Sequence, residues 1–166
     1  MLTDIAAEWG CDLKEAALRL LPAGGIFFQM DEDDVRRIMT HPRAMIGSDG
    51  LPHDSFPHPR LWGTFPRVLG HYARDLGLFS MEAAVHKMTG RTAAAFGLLD
   101  RGEVRAGAFA DLVLFDPATV IDSATFDAPT VPAQGIIETL VNGVTAYRAG
   151  VATQEAGHGR LLTRTA

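Results

Sequence analysis

The chain has 166 residues, 47% hydrophobic and 21% charged, with mean hydropathy +0.08 and a formal net charge of −5. These values argue against wholesale disorder and, with no basic block present, against nucleic acid as the main partner; no apolar run is long enough to suggest a membrane span, and the N-terminal pattern does not read as a signal peptide. The single cysteine, Cys11, excludes a disulfide framework and suits a reducing cytoplasm, and the length alone reads as one ordinary domain.

Residues 2–21 read as helical hairpin material that starts at Met1 with no capped beginning, which fits a natural start or a cut. Asp12 stands where it can cap residues 13–21, with Glu15 three positions on as a capping box, and Pro22 ends the helix. The apolar run Ile26-Phe27-Phe28-Gln29-Met30, bounded by turn signals, predicts a buried strand. A helix over 31–40 follows, its first turn acidic in the sense the helix dipole favours. Residues 44–47 predict a second buried strand that runs into Ser48-Asp49-Gly50. Strand, helix and strand at this spacing predict a βαβ unit with parallel strands and a right-handed crossover.

Residues 51–63 predict a long loop stiffened by Pro52, Pro57 and Pro59. Beyond it Phe65, Val68, Leu69, Tyr72 and Leu76 mark one helical face. Ser80 caps a further helix with Met81, Ala84, Val85 and Met88 on one side, and a small-residue helix over 92–97 continues it. At Leu98 the period changes. Short β-rich runs over 110–115, 136–141 and 144–147 are punctuated by Gly and Asp-Pro, and Asn142-Gly143 predicts a type I′ hairpin. The chain thus divides into an α/β portion over 1–97 and an all-β portion over 98–166.

The densest polar cluster spans 48–60, with Asp49 at its centre. A carboxylate delivered by an apolar strand to the carboxyl end of a βαβ sheet stands where α/β barrels keep their catalytic groups. There it can ligate a metal or take a proton from a metal-bound water; equally, Asp-Gly is a common turn pair. Arg60, held on a Pro-stiffened loop, has the fork to grip a carboxylate bidentately, against the readings of a surface arginine or a partner of Asp54. His53 and His58, five apart in that loop, read as solvated histidines; His71 and His86 read as packed or exposed helical residues. No phosphate loop, dinucleotide turn, H-E-x-x-H or C-x-x-C motif is present.

Three stretches together carry a resemblance. The block Gly47-Ser48-Asp49-Gly50-Leu51-Pro52-His53 with Pro57-His58-Pro59-Arg60-Leu61-Trp62-Gly63 resembles the last barrel strand and following loop of D-aminoacylases, the N-acyl-D-amino-acid deacylases of the amidohydrolase superfamily. Lys87-Met88-Thr89-Gly90 with Phe96-Gly97-Leu98 is similar to that superfamily's helix after the barrel. Ala110-Asp111-Leu112-Val113-Leu114-Phe115-Asp116-Pro117 and Val141-Asn142-Gly143 are similar to strands of its small β-sandwich.

The resemblance implies an α/β fold class: the last two β/α units of a TIM-like metal-dependent hydrolase barrel, followed by the C-terminal part of a small β-sandwich. It implies a cytoplasmic enzyme that uses zinc to hydrolyse the amide of an N-acyl-D-amino acid. Asp49 is then the general acid/base and a candidate ligand of a second metal site, and Arg60 holds the substrate α-carboxylate. The family's main zinc ligands include an H-x-H pair, and no H-x-H occurs here. An eight-stranded barrel needs about 250 residues, so the resemblance turns the first reading of the length into an expectation of a C-terminal portion. Such a portion is expected to be inactive alone, and to need the N-terminal barrel portion or to self-associate. The alternatives are a cyclic-amide or deaminase-type amidohydrolase, or a non-catalytic assembly module of a split protein.

Overall fold

The computed structural model describes residues 1–51, 56–153 and 157–163. The chain forms two compact units, Met1–Glu32 and Asp33–Ala166.

The first unit is a helical hairpin of α1 (Leu2–Trp9) and α2 (Leu13–Leu20). Its seam is built from small residues, Ala6 and Ala16, which are buried and let the two backbones approach. Gly10 closes α1 in the left-handed conformation at φ 61°, and the Asp12 side chain accepts the Glu15 amide at 2.7 Å, the expected cap of α2. The expected uncapped start is instead closed by the Met1 ammonium, which donates to Asp4 at 2.8 Å. The strand expected over 26–30 does not form. A strand takes its hydrogen bonds from a neighbour, and no strand pairs with this run among the described residues. Ile26, Phe27, Phe28 and Met30 consequently lie exposed, Phe27 at 76%.

The second unit opens with α3 (Glu32–Thr40), the expected helix, whose Met39 enters the core. Residues 44–50 run extended, with positions 44, 46, 48 and 50 half-buried and 45, 47 and 49 exposed. That is the period-two alternation of a strand, but again without a ladder, so among the described residues the expected βαβ unit is represented by its helix alone.

Helix α4 (Arg60–Arg67) starts inside the stretch expected to be loop. Pro59 is compatible with this because it sits at the helix entrance, where a missing amide leaves no gap in the ladder. Pro66 does remove an amide from the ladder, and residues 68–75 continue as a π-helical turn, closed by the Leu76 amide on the His71 carbonyl at 2.9 Å. The wider turn buries Val68, Leu69, Gly70, Tyr72 and Ala73, whereas Phe65 and Leu76, expected on the same face, remain 43% exposed. Gly70 is required: a Cβ there would lie 2.2 Å from the Val120 carbonyl oxygen. Val120 is fully buried at the centre of the core.

Ser80 caps α5 (Met81–Met88) by accepting the Ala83 amide at 3.2 Å, and α6 (Gly90–Phe96) follows. The predicted face holds: Ala84 is buried, with Met81, Val85 and Met88 packed on the same cluster.

A four-stranded antiparallel meander completes the unit: β1 (Leu112–Phe115), β2 (Ile136–Val141), β3 (Val144–Arg148) and β4 (Val151–Ala152). Asn142 and Gly143 have φ of 50° and 84°, the two left-handed residues of the type I′ turn that the sequence predicts. Asp111 accepts the Asn142 amide at 2.8 Å and pairs with Arg101, so the Ala110–Pro117 motif braces this turn. Ala149 and Gly150 repeat the same geometry and lead into β4, which the sequence reading misses.

Candidate active site

The extended segment 44–50 ends in a tight turn. Ser48 Oγ accepts the Gly50 amide at 3.2 Å, and Asp49 adopts the left-handed conformation at φ 48°. A side chain at position 50 is excluded, because a Cβ there would lie 2.8 Å from the Leu61 Cα. The absence of a side chain at Gly50 therefore lets the turn rest against the first turn of α4.

That approach brings Asp49 and Arg60 together. Arg60 Nη2 lies 2.8 Å from Asp49 Oδ2. Both side chains are exposed, so the pair contributes little to stability; surface pairs of this kind are worth about 0–1 kcal/mol. The two predicted site residues are thus neighbours in space, eleven positions apart in the chain. Of the expected readings of Arg60, pairing with Asp54 lies outside the described residues, as does His53.

His58, expected as a solvated loop histidine, is instead built into the entrance of α4. It is partly buried, and its Nδ1 accepts the Arg60 amide at 3.0 Å, which closes the entrance of α4. Its ring stands edge-on to Phe126 at 5.1 Å. Burial holds the imidazole below its ordinary pKa, the Arg60 charge adds to the depression, and Asp49 opposes it. A neutral ring with Nδ1 as acceptor carries its proton on Nε2. The signal was the Pro-His-Pro-Arg spacing, which puts a side-chain acceptor two residues before a helix start.

Among the described residues no group of three or more His, Cys, Asp or Glu side chains is arranged to hold a metal ion. Asp49 offers a single carboxylate, already paired with a guanidinium, so the described residues do not compose a metal centre by themselves. A pair of this kind can instead accept a proton on the carboxylate and bind a second carboxylate on the guanidinium fork.

The sequence model of the amidohydrolase family matches residues 10–147. A D-aminoacylase of Alcaligenes xylosoxydans xylosoxydans is 59% identical over 165 residues, covering 99% of this chain and 34% of that protein. Among solved structures, a D-aminoacylase studied for its binuclear metal centre superposes with a TM-score of 0.87 at 60% identity, over 93% of this chain and 32% of the other. An N-acyl-D-glutamate deacylase from Bordetella bronchiseptica, complexed with zinc and a phosphonate mimic of the tetrahedral intermediate, superposes at 0.85 and 55% identity, over 91% and 32%. The chain spans about a third of the length of the curated relatives it matches. The family match over most of its length shows that this chain belongs to the amidohydrolase family.

Proposed function

We propose that this chain supplies the Asp49 and Arg60 part of a site that hydrolyses N-acyl-D-amino acids to a carboxylate and a free D-amino acid. The carrying observation is the Asp49–Arg60 pair at 2.8 Å, fixed by the side-chain-free contact of Gly50 with α4. The substrate has two features that such a pair can address. Its α-carboxylate needs a cationic anchor, and Arg60 offers a planar fork for it in exchange for Asp49. Its amide needs a proton moved: water adds to the acyl carbon, its proton passes to the Asp49 carboxylate, and Asp49 returns that proton to the nitrogen as the C–N bond breaks. The names of the relatives favour this substrate class over cyclic amides.

The zinc of the Bordetella relative would need ligands beyond those the described residues bring together, and the reading assigns them, with the remaining barrel strands, to polypeptide outside this chain. The exposed run over 26–30 suits docking of such a portion. In this reading residues 1–97 belong to the barrel and residues 98–166 to the sandwich.

The test is a hybrid in which residues 1–166 replace the matching third of the 59% identical D-aminoacylase. The hybrid is expected to hydrolyse N-acetyl-D-amino acids and not dihydroorotate or hydantoins, while the 166-residue chain alone shows no deacylation. Turnover by the isolated chain, or a hybrid selective for cyclic amides, would overturn the proposal.

A further inference from the structure

Lys87 takes no part in the reading above, yet it is placed unusually for a lysine. Its side chain is 7% exposed. An ammonium withdrawn from water needs acceptors, and among the described residues no carboxylate pairs with it. Its Nζ donates to the His41 carbonyl at 2.8 Å and lies 5.9 Å from the centre of the Phe79 ring. Its own carbonyl accepts the Ile46 amide at 3.3 Å and the Thr92 hydroxyl at 3.0 Å. One residue of α5 therefore holds both ends of the segment 41–46, which leads directly to Asp49.

That segment is where an anchor matters. It has strand-like alternation, and among the described residues no strand pairs with it, so the Lys87 contacts hold it where a ladder does not. A charged donor on a carbonyl is among the stronger single hydrogen bonds a side chain can make. Burial pushes the lysine pKa down, and the Arg91 charge adds to that shift.

We propose that Lys87 is a positioning residue for Asp49, its buried amine on the His41 carbonyl and its carbonyl under the Ile46 amide fixing the segment that carries the carboxylate. The catalytic consequence rests on the role given to Asp49 above; the anchoring does not.

Amide hydrogen exchange on the 166-residue chain reads the anchoring directly. In Lys87→Met the amides of residues 44–50 are expected to exchange about ten- to a hundredfold faster, with those of β2 and β3 unchanged. Lys87→Arg, which keeps a charged donor on the same face of α5, is expected to stay near the parent. Unchanged exchange over 44–50 in Lys87→Met, a uniform acceleration of all amides, or an arginine variant as loose as the methionine one would each overturn the proposal. In the hybrid enzyme, Lys87→Met is expected to lower kcat about tenfold or more, with KM nearly unmoved. A full kcat in Lys87→Met beside an inactive Asp49→Asn would remove the positioning role and leave Asp49 standing. A fully active Asp49→Asn would remove the role of Asp49, with hydrogen exchange still reporting on the anchor.

Discussion

The segments 26–30 and 44–50 and the meander of β1 to β4 are all rich in strand-forming residues, yet among the described residues only the meander forms a sheet. The difference lies in where the partners are. The β2–β3 hairpin closes through Asn142-Gly143, two residues whose conformations suit the turn, so these two strands meet within a few positions, and β1 reaches β2 across residues 116–135. Among the described residues neither 26–30 in the first unit nor 44–50 in the second takes part in a ladder. The apolar side chains of 26–30 stay in water, Phe28 at 70% exposed, and Ile46 of 44–50 packs against the core only in part, whereas Val120, beside the sheet in the same core as Phe115, is fully buried.

Substitutions in both kinds of segment test this difference. The largest stability effect is expected from Gly70→Ala, which forces a Cβ against the Val120 carbonyl where neither backbone can yield. A loss of about 3 kcal/mol or more is expected, read as a collapse of the thermal midpoint of the second unit. Gly143→Ala, at φ 84°, is expected to cost about 1 kcal/mol in chemical denaturation, because the hairpin needs the left-handed residue there. Phe27→Glu should leave the melting temperature nearly unchanged, since the ring is already exposed, but reduce self-association measured by light scattering. If this charge instead lowered the midpoint as Gly143→Ala does, the view of 26–30 as an exposed run would fail.

A smaller effect concerns His58. Its folded pKa lies below the ordinary value of 6.5, so as the pH falls through that value the unfolded chain takes up a proton before the folded chain does. Stability contributed by neutral His58 is therefore present above that range and lost as the medium is acidified. His58→Gln should flatten the drop in melting temperature between pH 7.5 and about pH 5 relative to the parent.

Local signals were legible where their consequence is local. Asp12 and Ser80 cap the helices they were expected to cap, and the face of α5 buries as its spacing predicts. The helix start at Arg60 was hidden by prolines that read as breakers, although a proline at a helix entrance breaks nothing. The π-helical turn after Pro66 was hidden because a period of 3.6 was assumed where the ladder had been interrupted. In the site, Asp49 and Arg60 stood out as residues, but their contact depends on Gly50 lying against Leu61, a packing relation that no pattern encodes. Lys87 looked ordinary for the same reason: its role depends on which carbonyl it meets 46 positions away.

The central claim is that Asp49 and Arg60 divide the chemistry of one site, the carboxylate moving a proton and the guanidinium holding the substrate. Steady-state kinetics of Asp49→Asn and Arg60→Ala in the hybrid enzyme test it most directly. Asp49→Asn is expected to lower kcat by about 10²–10⁴-fold with KM little changed, and Arg60→Ala to raise KM for the N-acyl-D-amino acid far more than it lowers kcat. Equal effects of both variants on the same constant, or an active Asp49→Asn enzyme, would contradict the account.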